Sequence, residues 1–489
     1  MLIGLRSVAR RHAVLLGVLL IAAAVRVAVA VAYRPALFFD DSWGYGMTAR
    51  FHSYAGIFVP GFEPVRPSGY PLVLDALALV DRGAGLITSV QHVAGLVVGV
   101  IAYALCRRLG ASRWLSALAT GVVVLDSYAI ALEQHILSET FFGLTLLASL
   151  ALLAHRDGGW VSVGFSGLLL AFAVTIRSAG VFAIPVWLIY LVFVRRDRRP
   201  VLAGIAALIV PLMIYAAAHA AVGRGFQLTE TGGWFLYGRA GELADCKRFA
   251  PSPEERPLCR ATPEHLRHPL YFVWDRQSPA QQRFGEPVNL NPPELERAEE
   301  VLRGFALKVI RSRPADYAEV VATDLLRFFV PGRMSPYGPS GNAPILFPER
   351  ARDKFFRPRL GDAYFAVRAA PDIHPPSAAV REYQRWIHTP RWLFGAWALA
   401  GVLTLLLGLS SRLRPALKRR PEVFLLMGSG LAILLGTVAT AGFSVRYLVP
   451  LAPLFVCGGI AAALDLAAAA RASRITGQSR RLRKATSVS

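Results

Sequence analysis

The stretch "RRHAVLLGVLLIAAAVRVAVAVAY" (residues 10–33), followed closely by "FFDDSWGYG" (38–46), decides how the rest of the chain is read. The first is a basic start and an apolar run long enough to cross a hydrocarbon core of about 30 Å as a helix. Its "AVA" has the look of a signal-peptidase site, but the run is longer than a signal core and many similar runs follow. An uncleaved anchor is therefore expected. Arg6, Arg10 and Arg11 precede it, which puts the N-terminus on the cytoplasmic side. Asp40 and Asp41 then emerge on the outer face between aromatics, with Phe38, Phe39 and Trp43 expected as interface anchors.

Composition agrees. Of 489 residues 54% are hydrophobic and only 18% charged, with a mean hydropathy of +0.43. A soluble domain is less apolar and more charged, and a membrane β-barrel would show short alternating strands instead. The net charge of +22 gathers in short loops, as the positive-inside rule requires, so no nucleic-acid partner is inferred. Arg exceeds Lys and Ala is abundant, which suits a GC-rich bacterial genome and a bacterial cytoplasmic membrane.

The fold class expected is an all-α polytopic membrane protein of about ten transmembrane helices. The spans are read at 10–33, 85–106, 114–134, 140–154, 160–176, 180–194, 201–222, 392–409, 423–443 and 447–470. A Pro- and Gly-rich run at 64–80 is read as a helix at the outer surface. The expected division is a transmembrane module at 1–222 with a catalytic first outer loop (34–84), an extracytoplasmic domain at 223–389, a three-helix module at 390–470 and a basic cytoplasmic tail at 471–489. Both termini then lie inside, and the strongly basic loops fall on one side.

In the polar insertion, Cys246 and Cys259 are expected to form a disulfide in an oxidising compartment, while Cys106 and Cys457 fall in spans as packing residues. A helix capped by Asn291 is predicted next, and an amphipathic one at 314–330 with Tyr317, Val320, Val321, Leu325 and Phe328 on one face. Residues 331–378 read as irregular. No P-loop, nucleophile elbow or metal spacing is present in the sequence.

Carboxylates beside the apolar phase are costly unless solvated or paired, so each needs a reason. Asp40 and Asp41 form one cluster; "EQHILSETFF" (133–142), with Glu133, His135 and Glu139, forms a second on the same face. A solvated loop or a helix start at "DDSW" is the plain alternative for the first pair. Arg66, Arg177 and Arg446 supply the complement, since guanidinium binds phosphate bidentately and stays charged near lipid. Acids together with arginines at the outer leaflet suit a substrate linked to a lipid phosphate. Asp126 and Asp465 are isolated, nearer span ends.

The chain resembles the GT-C superfamily of membrane glycosyltransferases, especially the protein mannosyltransferase and aminoarabinose transferase type. The resemblance runs through "FDDSWGY", "RPSGYPLVL", "LSET", "TIRSAG" and "RYLVP", in order and on one face. Asp41-Ser42 followed by Tyr45 fits the family's first-loop spacing better than Asp40 does. The resemblance implies a polyprenyl-phosphate sugar donor, a carboxylate base (Asp41), and transfer with inversion to a hydroxyl of a glycan, protein or lipid acceptor. Asp40 and Glu139 would orient; Arg446, Arg177 and Arg66 would hold the donor phosphate; Tyr45, Tyr70, His135 and Tyr447 would contact substrate. No cofactor is assigned: so many acids leave a divalent metal open as an alternative, but some relatives work without one. A lipid-linked oligosaccharide ligase or polymerase, a transporter or flippase of lipid-linked glycans, and a non-catalytic assembly factor are the competing readings.

Overall fold

The computed structural model describes residues 12–55, 64–195, 197–263, 267–332, 344–350 and 372–486. These residues are mostly helical, with one short antiparallel pairing of Tyr33–Arg34 against Asp372–Ile373. Six helical segments are long and apolar enough to cross a membrane: Ala13–Ala32, Ala84–Arg108, Arg198–Ala221, Ser377–Leu407, Arg420–Thr440 and Val445–Ser473. A further crossing, Arg113–Val124 with Ser127–Gln134, is bent by 48°, and the other three expected spans are the shorter helices Glu139–Leu153, Trp160–Ile176 and Ser178–Val194. The protein is thus a multi-pass helical membrane protein, in which length alone qualifies six of the ten expected spans, or seven with the bent pair.

The bend has a chemical cause. Asp126 leaves the helix and caps the next one, Oδ1 accepting from the Tyr128 and Ala129 N–H groups at 2.9 and 3.1 Å. The backbone groups freed by a break inside an apolar phase must find partners in the protein. Here the segment before Arg391 supplies them. Thr389 N–H donates to Asp126 Oδ2 at 2.7 Å, Ser127 N–H donates to the Ile387 carbonyl at 3.1 Å, and the Tyr383 hydroxyl donates to the Leu125 carbonyl.

A second buried device joins the first span to the bent one. Arg26 grips Glu133 bidentately at 2.8 and 2.7 Å, and its remaining N–H groups reach the Ala22 and Val124 carbonyls. His92 Nδ1 lies 2.8 Å from the same carboxylate. Such a pair is satisfied on every side, so breaking one half costs far more than the pair itself contributes.

Contacts sort the loops into two ends. At one end, Arg156 binds Glu422 at 2.6 Å, Arg419 binds Asp465 at 3.0 Å, and Arg195 donates to the His155 and Arg156 carbonyls. Arg195 there also donates to the Leu153 carbonyl and Arg419 to the Leu109 carbonyl, both at helix C-termini, where the backbone dipole favours cations. The opposite end carries Asp41, Glu139 and Arg446.

The polar insertion has a core of its own around Trp234, Tyr237, Phe272, Leu302 and Phe305. Cys246 and Cys259 are joined within it. Asn291 and Glu294 form a capping box at the start of Pro292–Ser312. The helix Pro314–Arg327 lays its apolar face on the spans: Tyr317 donates to the Ala439 carbonyl at 2.5 Å, Val321 is buried, and the ring of Phe328, at the helix C-cap, lies 4.8 Å from that of Phe443 at a tilt of 59°. The expected irregular stretch 331–378 falls mostly outside the described residues. Arg239 is fully buried between Asp324 and Glu242, at 3.0 and 3.1 Å. Burial pushes the Glu242 carboxyl up to about 7, against the pull of Arg239 and helped by Asp324.

Two outcomes are expected. Arg26→Met strands Glu133 and lowers stability by about 3–5 kcal/mol, read as a fall in melting temperature in detergent; a matched Glu133→Met on that background recovers most of it. Between the ordinary 4.5 and about 7, the folded chain keeps a proton on Glu242 that the unfolded chain releases, so stability falls as pH rises through that window. Glu242→Gln removes this term, and its melting temperature relative to the parent rises from pH 5 to pH 8.

Candidate active site

The helix Asp40–Ala55 opens directly on the acidic pair, in the turn where backbone dipoles favour negative charge. Its start is anchored through Ser42. The Ser42 N–H donates to the Phe39 carbonyl at 2.8 Å, the Phe39 N–H donates to Ser42 Oγ at 3.0 Å, and Oγ donates to the Ile136 carbonyl at 2.9 Å. A parallel bridge of Leu37 with His135 adds two backbone bonds, Leu37 N–H to the Gln134 carbonyl and Ile136 N–H to the Leu37 carbonyl. This staple places Asp41 beside Glu139, the first residue of its own helix. Tyr45, one turn beyond Asp41, lies 2.8 Å from Ser138 Oγ.

Two further elements bring in arginines. Arg446 sits in the turn Val445–Tyr447 that opens the last span. Its Nε donates to Glu139 Oε1, and its Nη2 lies 2.6 Å from Asp41 Oδ2 as a charge contact without a directed hydrogen bond. Arg66 pairs with the other oxygen, Asp41 Oδ1. Arg177 lies 2.7 Å from Glu139 Oε1 and donates to Ser138 Oγ at 3.1 Å. Each guanidinium also faces a ring: Arg446 over Phe39 at 5.2 Å, Arg66 over Tyr45 at 5.8 Å, and Arg177 over Tyr447 at 5.9 Å. The loop carrying Arg66 is held by Ser68 N–H to Tyr215 Oη at 3.0 Å and by Glu230 N–H to the Pro64 carbonyl at 3.2 Å.

Among the described contacts, two carboxylates, Asp41 and Glu139, meet three guanidinium groups, Arg66, Arg177 and Arg446. Burial opposes ionisation of Asp41, but Arg66 and Arg446 outweigh it and hold the carboxyl well below the usual carboxylate range. Burial pushes the Tyr45 hydroxyl up to about 12, so it stays a neutral donor. Glu139 Oε2 is buried and receives no hydrogen bond. Glu139 lines a narrow cavity of about 70 Å³ whose other walls include Val98, Leu132, Phe394, Leu448 and Val449. Among the described residues, no group of three or more His, Cys, Asp or Glu is placed to hold a metal ion.

The structure brings together Asp41, Glu139, Arg66, Arg177, Arg446, Tyr45 and Tyr447. Asp40 is exposed at the rim. Several expectations need correction. Glu133 does not approach the first loop with its charge, because Arg26 and His92 take its carboxylate. Tyr70 is fully buried and its hydroxyl donates to Gln91, so it packs beneath the site rather than facing substrate. His135 turns its Nδ1 back to the Ala131 carbonyl at 2.8 Å. Phe38 is core, and Phe39 supports Arg446 instead of anchoring in lipid. The run 64–80 is a short helix, Gly69–Ala78, whose first turn is buried in the bundle instead of lying on the surface. The sequence reading missed Ser138, which links Tyr45 to Arg177; a serine one residue before a buried acid at a helix start was the available signal.

Residues 88–221, which contain "LSET" and "TIRSAG", match the family described as dolichyl-phosphate-mannose-protein mannosyltransferase, in line with the GT-C likeness. No curated relative matches the chain's sequence. Among solved structures, the chain is similar to the oligosaccharyltransferase AglB of Archaeoglobus fulgidus in complex with an inhibitory peptide and a dolichol-phosphate. Identity is 14% and the TM-score 0.38, over 92% of this chain and 50% of that one. It is also similar to ArnT of Cupriavidus metallidurans bound to undecaprenyl phosphate, with 14% identity and a TM-score of 0.34 over 92% and 78% of the two chains. The chain thus spans about half the length of the archaeal enzyme it matches.

A Cβ on Gly69 would sit 2.4 Å from the Thr175 carbonyl carbon, which is backbone and cannot swing away. Gly69→Ala is expected to displace the loop that carries Arg66 and to cost about 1–3 kcal/mol, measured as a drop in melting temperature, whereas Gly85→Ala, where the nearest atom is 4.0 Å away, leaves it unchanged.

Proposed function

We propose that the protein transfers a single sugar from a polyprenyl-phosphate donor to an acceptor hydroxyl, with inversion, at the extracytoplasmic face of a bacterial cytoplasmic membrane. The observation that carries this reading is the convergence of three arginines, Arg66, Arg177 and Arg446, on Asp41 and Glu139. A sugar–phosphate–lipid diester brings the kind of anion that guanidinium groups bind. The apolar cavity beside Glu139 opens between the same helices and suits the first part of a lipid tail. Sidedness rests on the loops: the basic ones gather at the end away from the site.

Asp41 serves as the general base. Both of its oxygens are engaged by guanidinium groups, so it cannot receive a proton until one lets go. The donor phosphate competes for Arg446 and frees Oδ2. The acceptor oxygen then attacks the anomeric carbon, its proton passes to Asp41, and the carbon–oxygen bond to phosphate breaks. Charge balances through the step. Before it, two carboxylates and a diester face three arginines; after it, one carboxylate, a neutral Asp41 and a phosphomonoester dianion face the same three. No net charge is created in a poorly solvated place, which is the condition under which fixed charges stabilise a transition state. Glu139 positions Arg446 and Arg177, and its unpartnered oxygen is available to a sugar hydroxyl.

Asp41→Asn is expected to lower transfer from a polyprenyl-phosphate sugar by about 10²–10⁴-fold with normal expression, and Asp40→Asn to change it little. Unaltered transfer in Asp41→Asn would exclude the assignment. Arg66→Gln removes one cation from Asp41, so the acidic limb of the kcat/KM profile shifts to higher pH. The profile of the purified variant against the parent checks the direction.

A further inference from the structure

A second charged cleft lies away from the acids. In the polar insertion, Arg256, Arg260 and Arg283 line one cavity of about 510 Å³, together with Pro257, Pro279 and Cys259. That size falls in the range of roughly 300–1,000 Å³ typical of small-ligand sites. All three arginines are exposed, and among the described residues none has a carboxylate partner. Four neighbouring acids among the described residues have other partners. Glu254 holds Arg297, Glu255 is buried on Lys308 at 2.6 Å, Glu286 lies 3.6 Å from Arg276, and Asp275 caps the Gln277 N–H at 2.8 Å. Like charges gathered without counter-charge destabilise a fold slightly, so their grouping in a concave place calls for an anion.

The walls are stiff. Cys259 is tied to Cys246, and prolines begin the short helices on both sides, Arg256–Cys259 and Pro279–Phe284. Arg260 is steered by a hydrogen bond to Gln282 Oε1, and Arg283 rests over the Phe284 ring at 5.2 Å. Pre-organised donors of this kind lose little entropy on binding. Of the short helices that form the cleft, Pro279–Phe284 packs on Arg256–Cys259 and on Pro292–Ser312. The three arginines are exposed, so an anion arriving from solvent suits them.

We propose that this cleft is an anion-binding subsite for the carboxylate or phosphate groups of an acidic acceptor glycan. It rests on the reading of the protein as a glycosyltransferase with the insertion outside the cytoplasm. Arginine forks recognise both oxyanions in the same way, and a cleft on elements that carry neither Asp41 nor Glu139 binds a part of the acceptor that does not react. It would select polymers with repeated negative charge over neutral ones of equal length.

The test uses the full-length protein in nanodiscs of phosphatidylcholine. Binding of an oligogalacturonate, a glycerol-phosphate oligomer and a neutral dextran oligomer is measured by calorimetry in low salt and at 0.5 M salt, about where exposed charge contacts are strongly screened. The expected result is binding of at least one acidic oligomer and not of dextran, weakened at least tenfold both by high salt and by Arg256→Gln/Arg260→Gln/Arg283→Gln. The triple Lys variant should retain most of it. Equal binding of parent and triple Gln variant, equal binding of dextran, or binding of neither acidic oligomer would overturn the proposal. Melting temperature of the Gln variant confirms that the insertion is intact. Asp41→Asn should bind the oligomers as the parent does. A cleft that fails while Asp41 still proves essential for transfer sinks this inference alone, and the reverse outcome sinks only the catalytic reading.

Discussion

Two carboxylates cannot lie side by side in a dry corner of a helix bundle unless cations hold them there. Arg446 is the cation that does so in this protein, touching both Asp41 and Glu139. The rest of the site follows from that demand. Phe39 offers its ring to the guanidinium, Arg66 and Arg177 take the remaining charge, and the chain between Leu37 and Ser138 is stapled so that neither acid can withdraw to water. A bundle organised in this way gathers three guanidinium groups around two carboxylates at one end. Its natural complement is an anion that can reach that depth attached to a hydrocarbon chain.

How much of this was legible in the sequence depended on the kind of signal. Apolar runs and basic loops are strong periodic or compositional patterns, and the helices fell where they predict. Asp41, Glu139 and Arg446 could be grouped because expensive residues at one end of the bundle have few places to go. What failed was anything decided by a single side-chain partner. Glu133 and Glu139 look alike in "EQHILSE", yet Arg26, a lone cation inside the first span, takes one and leaves the other. That lone arginine was the clue, since a buried charge needs a buried opposite. Tyr70 and Tyr45 are likewise indistinguishable by type; Gln91 ends the availability of the first. The break at Asp126 was invisible for a different reason, because its compensating donors lie more than two hundred residues downstream.

The polar insertion and the bundle are differently built. The insertion closes on a small aromatic core with a disulfide and a capping box, devices suited to a domain with little apolar surface to bury. The bundle instead relies on charge pairs that are satisfied completely or not used at all. The helix Pro314–Arg327 joins the two regimes, apolar toward Ala439 and Phe443 and charged toward Arg239.

The shared carboxylate of Asp126 has an evolutionary consequence. One of its oxygens completes a helix of the N-terminal half, and the other receives an N–H from the end of the inserted region. Exchange of that region for another, the ordinary way of altering what a modular transferase accepts, would leave the bent span with an open backbone in the middle of its path. Recombination at this boundary is therefore viable only where the incoming segment ends in the same few residues. Variation in the insertion should accordingly accumulate ahead of Tyr383, while the junction from there to Arg391 descends as part of the bundle.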